Sequence, residues 1–126
     1  MVGIVIVSHS VKLAEGVVDL ARLMAADAPM RAAGGMDDGG FGTSFEKISN
    51  AIDEIYTDDG VIILMDLGSA VMTTEMVIEM MEGRKLKMVD CPLAEGAVAA
   101  SVVAEGGAPL EDVVEAAVNA GKIPKF

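Results

Sequence analysis

Val2-Gly3-Ile4-Val5-Ile6-Val7, running into Ser8-His9-Ser10, opens the chain. Its first six residues are apolar, largely β-branched and free of polar alternation. That is the pattern of a strand buried on both faces, as in a parallel sheet. Val61-Ile62-Ile63-Leu64-Met65 repeats the pattern and runs into Asp66-Leu67-Gly68-Ser69. Between them, Val11 to Ala26 places Leu13, Val17, Leu20 and Met24 at spacings of four, three and four. This predicts an amphipathic helix stopped near Asp27-Ala28-Pro29, because proline cannot continue it. Met30 to Ala33 is expected to be the second strand. Thr43 and Glu46 read as a capping box opening a helix with an apolar stripe of Phe45, Ile48, Ile52 and Ile55. Asp58-Asp59-Gly60 is a turn. Ser69 to Glu82 should be helical and closed by Gly83. Leu86 to Val89 should form a fourth strand, and Leu93–Glu105 and Leu110–Ala120 two further helices, split by Gly106-Gly107-Ala108-Pro109. Strands alternating with helices are βαβ units. The expected fold class is therefore α/β: an open, mainly parallel four-stranded sheet with helices on both faces, doubly wound.

The length of 126 residues suits one domain spanning 1–126. An apolar content of 52% with 23% charged residues suits a packed core, and with 3% aromatics and no Trp that core is aliphatic. Twenty acids against nine bases give a net charge of −11, which repels a phosphate backbone and argues against nucleic-acid binding. One cysteine excludes an internal disulfide, and one histidine with one cysteine excludes the usual zinc clusters, so no metal is expected. Mean hydropathy is +0.50, yet no apolar run approaches the ~18 residues of a membrane span. The first basic residue, Lys12, follows the N-terminal apolar run, unlike a signal peptide. A cytoplasmic protein without membrane attachment is expected.

In open parallel sheets, ligands bind beyond the carboxyl ends of the strands. There lie Ser8-His9-Ser10, Asp66-Leu67-Gly68-Ser69 and Asp90-Cys91, all expected on one edge. His9 has two readings: a loop residue at the start of the first helix, with Ser10 as the N-cap, or a nucleophile or base whose tautomer Asp66 fixes. Gly68 and Ser69 are an ordinary helix start. Beside His9 they also resemble part of a small anion site, with backbone N–H groups facing a phosphate, and Ser10 joins them as a candidate phosphate-binding residue. No glycine-rich nucleotide loop with its lysine, no dinucleotide fingerprint and no G-x-S-x-G elbow occurs. Cys91, before a proline, reads as a packed small residue, and Met72, Met76 and Met80 as core or interface filler.

Three segments carry a family resemblance: Val2 to Ser10; Met65-Asp66-Leu67-Gly68-Ser69-Ala70; and Pro92-Leu93-Ala94-Glu95-Gly96-Ala97. Over essentially the whole chain the sequence resembles the enzyme IIA domains of the mannose family. The second and third segments resemble its dihydroxyacetone-kinase branch. Thr73-Thr74 stands where many relatives have an asparagine. The resemblance implies a phosphoryl relay: the residue matching His9 accepts phosphate from the histidine-carrier protein HPr. It then passes the phosphate to ADP held by the kinase's ADP-binding subunit, which phosphorylates dihydroxyacetone. No cofactor would be bound by this chain itself. The length leaves no room for the fused carrier-protein domains of some relatives, so the stand-alone form is expected.

Two other roles are weighed against the relay: a mannose-type sugar-transport IIA component, and a non-enzymatic regulatory binding module on the same fold. A receiver-type module would place several acids at the first strand end and a lysine at a later one, and neither is present. The apolar C-terminal third (Ala97 to Ala104, Leu110 to Ala120) exceeds what four strands need for cover, and with the resemblance it predicts a homodimer. The loop Gly34 to Gly42, with five glycines in nine residues, is expected at the docking face.

Overall fold

The computed structural model describes residues 1–126. Four strands form one sheet: β1 (Gly3–Ser8), β2 (Met30–Gly34), β3 (Val61–Met65) and β4 (Leu86–Met88), in the order β2-β1-β3-β4. Every pairing is parallel, with Val7 opposite both Ala33 and Met65. The helices are α1 (Val11–Arg22), α2 (Phe45–Ile55), α3 (Val71–Met80, preceded by a 3-10 turn over Gly68–Ala70), α4 (Leu93–Glu105) and α5 (Leu110–Ala120).

Side chains of β1 and β3 alternate between two cores. Ile4, Ile6, Ile62 and Leu64 pack with α1, α4 and α5. Val5, Val7 and Ile63 pack with α2 and α3. The two central strands are thus covered on both faces, as their unbroken apolar runs require. Because β2 and β3 flank β1 on opposite sides, the chain leaves β1 toward one face through α1 and leaves β3 toward the other through α3. That divergence opens a crevice at the carboxyl edge, between the ends of β1 and β3.

Several elements differ from the sequence expectation. Helix α1 stops at Arg22 rather than Ala26. The Arg22 guanidinium donates to the carbonyls of Ala26, Ala28 and Met30, holding the following turn in place of further helix. Its buried face is Ala14, Val17, Val18 and Ala21, whereas Leu13, Leu20 and Met24 are exposed. At Ala14 a small residue is required because the helix lies close to β2: a Cβ on Gly34 would stand 2.5 Å from the Ser10 carbonyl oxygen and 2.8 Å from the Ala14 Cβ.

Ser44, not Thr43, caps α2, accepting from the Lys47 N–H at 3.1 Å. The position a capping box gives to Glu or Gln therefore holds Lys47, and the Thr43 hydroxyl instead meets that of Thr73 at 3.1 Å. The third helix begins as a 3-10 turn and ends at Met80, before Gly83 at φ +93°. Met72, Met76 and Met80 are 74%, 52% and 76% exposed, so they are not core. Strand β4 is one residue shorter than expected. Much of the apolar surplus in the C-terminal third is used within the chain, since Ala97, Ala100, Ala104, Val113 and Ala117 join the core of α1 and the sheet.

Candidate active site

The crevice holds the only histidine. Ser8 ends β1 fully buried, and a hydroxyl there must find a partner. It donates to Asp66 Oδ2 at 2.9 Å and accepts the Ser10 N–H at 3.0 Å. Asp66 follows β3 directly, so the β1–β3 pairing brings the two strand ends together. Its Oδ2 also accepts the His9 N–H at 3.0 Å, while Oδ1 meets His9 Nδ1 at 3.0 Å and accepts the Leu67 N–H at 2.8 Å. Four hydrogen bonds occupy the carboxylate's four acceptor positions. Burial works against the charge on Asp66, but the His9 N–H, the His9 ring and the Ser8 hydroxyl outweigh it and hold the carboxyl below the usual carboxylate range.

An ionised carboxylate can only accept, so Nδ1 of the neutral imidazole carries the proton and Nε2 holds the lone pair. The Ser69 hydroxyl lies 2.8 Å from Nε2 and donates into it. The His9 side chain is 25% exposed and that of Asp66 11%, so the ring is the more accessible member of the pair. Ser69 and Gly68 open the 3-10 turn, where their N–H groups have no acceptor within the turn. Ser10 caps α1, its hydroxyl oxygen accepting the Leu13 N–H at 3.2 Å, so its oxygen serves the helix as the sequence suggested for an N-cap. No group of three or more His, Cys, Asp or Glu side chains is placed to hold a metal ion.

A histidine fixed through Nδ1 by a carboxylate, at the switch point of a parallel sheet, has the chemistry of a nucleophile or a base at Nε2. Residues 3–114 match the family described as "EIIA-man: PTS system fructose IIA component". The chain belongs to the EIIA-man family. Among curated relatives, this EIIA-man chain is 42% identical over 113 residues to "PTS-dependent dihydroxyacetone kinase, phosphotransferase subunit DhaM" of Lactococcus lactis, covering 90% of each chain. It is 39% identical over 127 aligned positions to "PEP-dependent dihydroxyacetone kinase, phosphoryl donor subunit DhaM" of Klebsiella michiganensis. That match covers 95% of this chain but 27% of the relative, so the EIIA-man chain spans about a quarter of that longer protein. The crystal structure of the unknown function protein EF1359 has the same fold, with a TM-score of 0.86 at 33% identity and full coverage of both chains. No helix is long and apolar enough to cross a membrane.

The structure thus brings His9, Asp66, Ser69 and Gly68 to one crevice, with Ser10 alongside. Sequence reading gave Ser8 no role, although a serine closing a fully apolar strand was the available signal. It also missed how the glycine-rich loop is held. Gly42 donates its N–H to the His9 carbonyl at 2.9 Å and Gly35 to the Ser8 carbonyl at 3.0 Å. Asp37 accepts from the Ser44 hydroxyl and Asp38 from the Gly40 N–H. The loop therefore lies beside the site, with Phe41 exposed next to the Gly42 anchor. Asp90 and Cys91 stand at the same edge, and no hydrogen bond joins either to His9 or Asp66.

Proposed function

We propose that this chain is the phosphoryl-donor subunit of a phosphotransferase-dependent dihydroxyacetone kinase, with His9 Nε2 as the transient phosphoryl acceptor. The observation that carries this reading is the Asp66–His9–Ser69 line, which favours the proton on Nδ1 and puts the Nε2 lone pair at the Ser69 hydroxyl. In the first step Nε2 attacks the phosphorus of phosphorylated HPr, forming a P–N bond here as the donor's P–N bond breaks and its imidazole leaves. In the second, the terminal phosphate oxygen of ADP on the kinase's ADP-binding subunit attacks. A P–O bond forms, the bond to Nε2 breaks, and ATP stays on the partner to phosphorylate dihydroxyacetone.

Each residue has a part in this. Asp66 keeps Nδ1 protonated throughout, which stabilises the positive charge on the phosphorylated ring and makes the imidazole a better leaving group. Ser69 gives up Nε2 as phosphorus arrives and turns its O–H to a phosphoryl oxygen. The N–H groups of Gly68 and Ser69 receive the others, and the Ser10 hydroxyl proton is free to do the same. The DhaM relatives favour this role over a sugar-transport component.

The reading extends to a cytoplasmic homodimer that meets HPr and the ADP-binding subunit in turn. Exposed Leu20 on α1 and Leu23 and Met24 in the turn that follows it offer apolar surface for a second copy. Sedimentation at micromolar concentration should give the mass of two chains, and a single-chain mass would overturn the dimer. The relay itself is tested by charging the protein with phosphorylated HPr, then adding ADP and magnesium with or without the ADP-binding subunit. ATP should form rapidly only with that subunit. Net charge −11 and the lack of a nucleotide loop leave free ADP without a binding place here. Rapid ATP formation from free ADP would sink the relay.

A further inference from the structure

Beside the crevice, between the ends of β3 and β4, lies an open cavity of about 390 Å³ walled by Met65, Val71, Met88 and Val89, with Asp66 and Asp90 at its polar side. Its two carboxylates differ. Asp66 is saturated by four hydrogen bonds from its own chain. Asp90 is exposed and takes part in none of the five ion pairs of the protein. Cys91, also on the wall, is pushed up to about 11 by burial and then by Asp90, so its thiol stays neutral. The cavity is therefore apolar with two carboxylates on its polar side, of which Asp90 alone has no hydrogen-bond partner within the chain.

None of the nine Lys and Arg side chains pairs with Asp90. The three arginines are spent elsewhere, Arg22 on backbone carbonyls, Arg31 on Glu54, and Arg84 on Asp53 and the Tyr56 ring. Phosphoryl transfer needs positive charge around the moving group, and none contacts His9, Asp66 or Ser69. A side chain with an apolar stem and a planar cationic head fits both the walls and the free carboxylate, and arginine is that side chain.

We propose that this cavity is the socket for an arginine of the ADP-bearing acceptor subunit, its stem on Met65, Val71 and Met88 and its guanidinium on Asp90. The inference rests on the relay reading above. The acceptor is the partner chosen because a protein that holds ADP must present positive charge at the mouth facing His9, complementary to this acidic edge.

The test separates the two half-reactions. Asp90→Asn should slow discharge to the ADP-loaded subunit about tenfold at subsaturating partner, the loss of one charge-assisted contact. Charging by phosphorylated HPr should stay within about twofold of the parent. Val71→Phe, which fills the cavity from the wall, should give the same split. Replacing the acceptor's surface arginines one at a time should reveal one whose loss costs nothing further in the Asp90→Asn background. Unchanged discharge, equal losses in both half-reactions, or additive losses for every arginine would overturn the socket. Failure of the parent protein to be charged by HPr would instead overturn the relay itself.

Discussion

His9→Ala yields a folded protein that takes up no phosphate at all. Incubated with phosphorylated HPr, the parent should gain the mass of one phosphoryl group per chain, lost in acid and kept in base. The variant should gain none. The sequence has one histidine, so no second imidazole can substitute. The fold should survive because the ring lies at the end of β1 and not within either core. The deletion costs the ring's hydrogen bonds to Asp66 and Ser69, an effect of about 1–3 kcal/mol, which a denaturation midpoint would register while far-UV circular dichroism stays unchanged. Phosphate uptake by the variant would remove His9 from the mechanism.

Asp66→Ala should leave uptake measurable but about 10–100-fold slower, the usual cost of losing a group that orients a functional histidine. Nucleophile and partners remain, while the ring loses its tautomer lock and the phosphorylated ring its counter-charge. Stability should fall more than in His9→Ala. The buried Ser8 hydroxyl and the part-buried His9 N–H lose their acceptor, at about 1–3 kcal/mol for each group left unsatisfied, while the exposed Leu67 N–H can turn to water.

The pH dependence carries a sign. The folded carboxyl titrates below its ordinary range, so its contribution is full above pH ~4 and disappears as pH falls through the lower folded value. Asp66→Asn should accordingly lose that part of the acid limb. Full transfer activity in Asp66→Ala would exclude the carboxylate from catalysis, whatever its effect on stability.

The two central strands were legible because unbroken β-branched runs have few uses other than a doubly covered sheet. His9 and Asp66 were legible because the carboxyl ends of such strands must meet at one edge. What escaped was decided by size and by competition for partners. In α1 the stripe at helical spacing placed Val17 correctly in the buried face, but Ala14, Val18 and Ala21 share that face in place of Leu13, Leu20 and Met24, and at Ala14 the close approach to Gly34 leaves room only for a small side chain. The capping box at Thr43 failed for a different reason. The Thr43 hydroxyl found Thr73, thirty residues away, and a local rule has no view of such a partner. Ser8 was hidden in the opposite sense: a polar residue in an apolar run is silent until the acceptor beside it is known.

The sheet divides the molecule's labour between its two edges. The amino edge carries turns alone, such as Thr57–Gly60 before β3 and Gly106–Pro109 between α4 and α5, closed by short backbone bonds and holding none of the relay residues. The carboxyl edge carries all of them, and their spacing is set by the pairing of Val7 with Met65 rather than by any loop. Insertions at the amino edge are therefore free to accumulate by drift, since lengthening a turn there leaves His9 and Asp66 where the ladder puts them. A slip of one residue between β1 and β3 would instead turn every side chain of one strand to the opposite face. Folding and chemistry in this chain thus answer to the same few pairings, and a lineage could lengthen or decorate the far edge without renegotiating either.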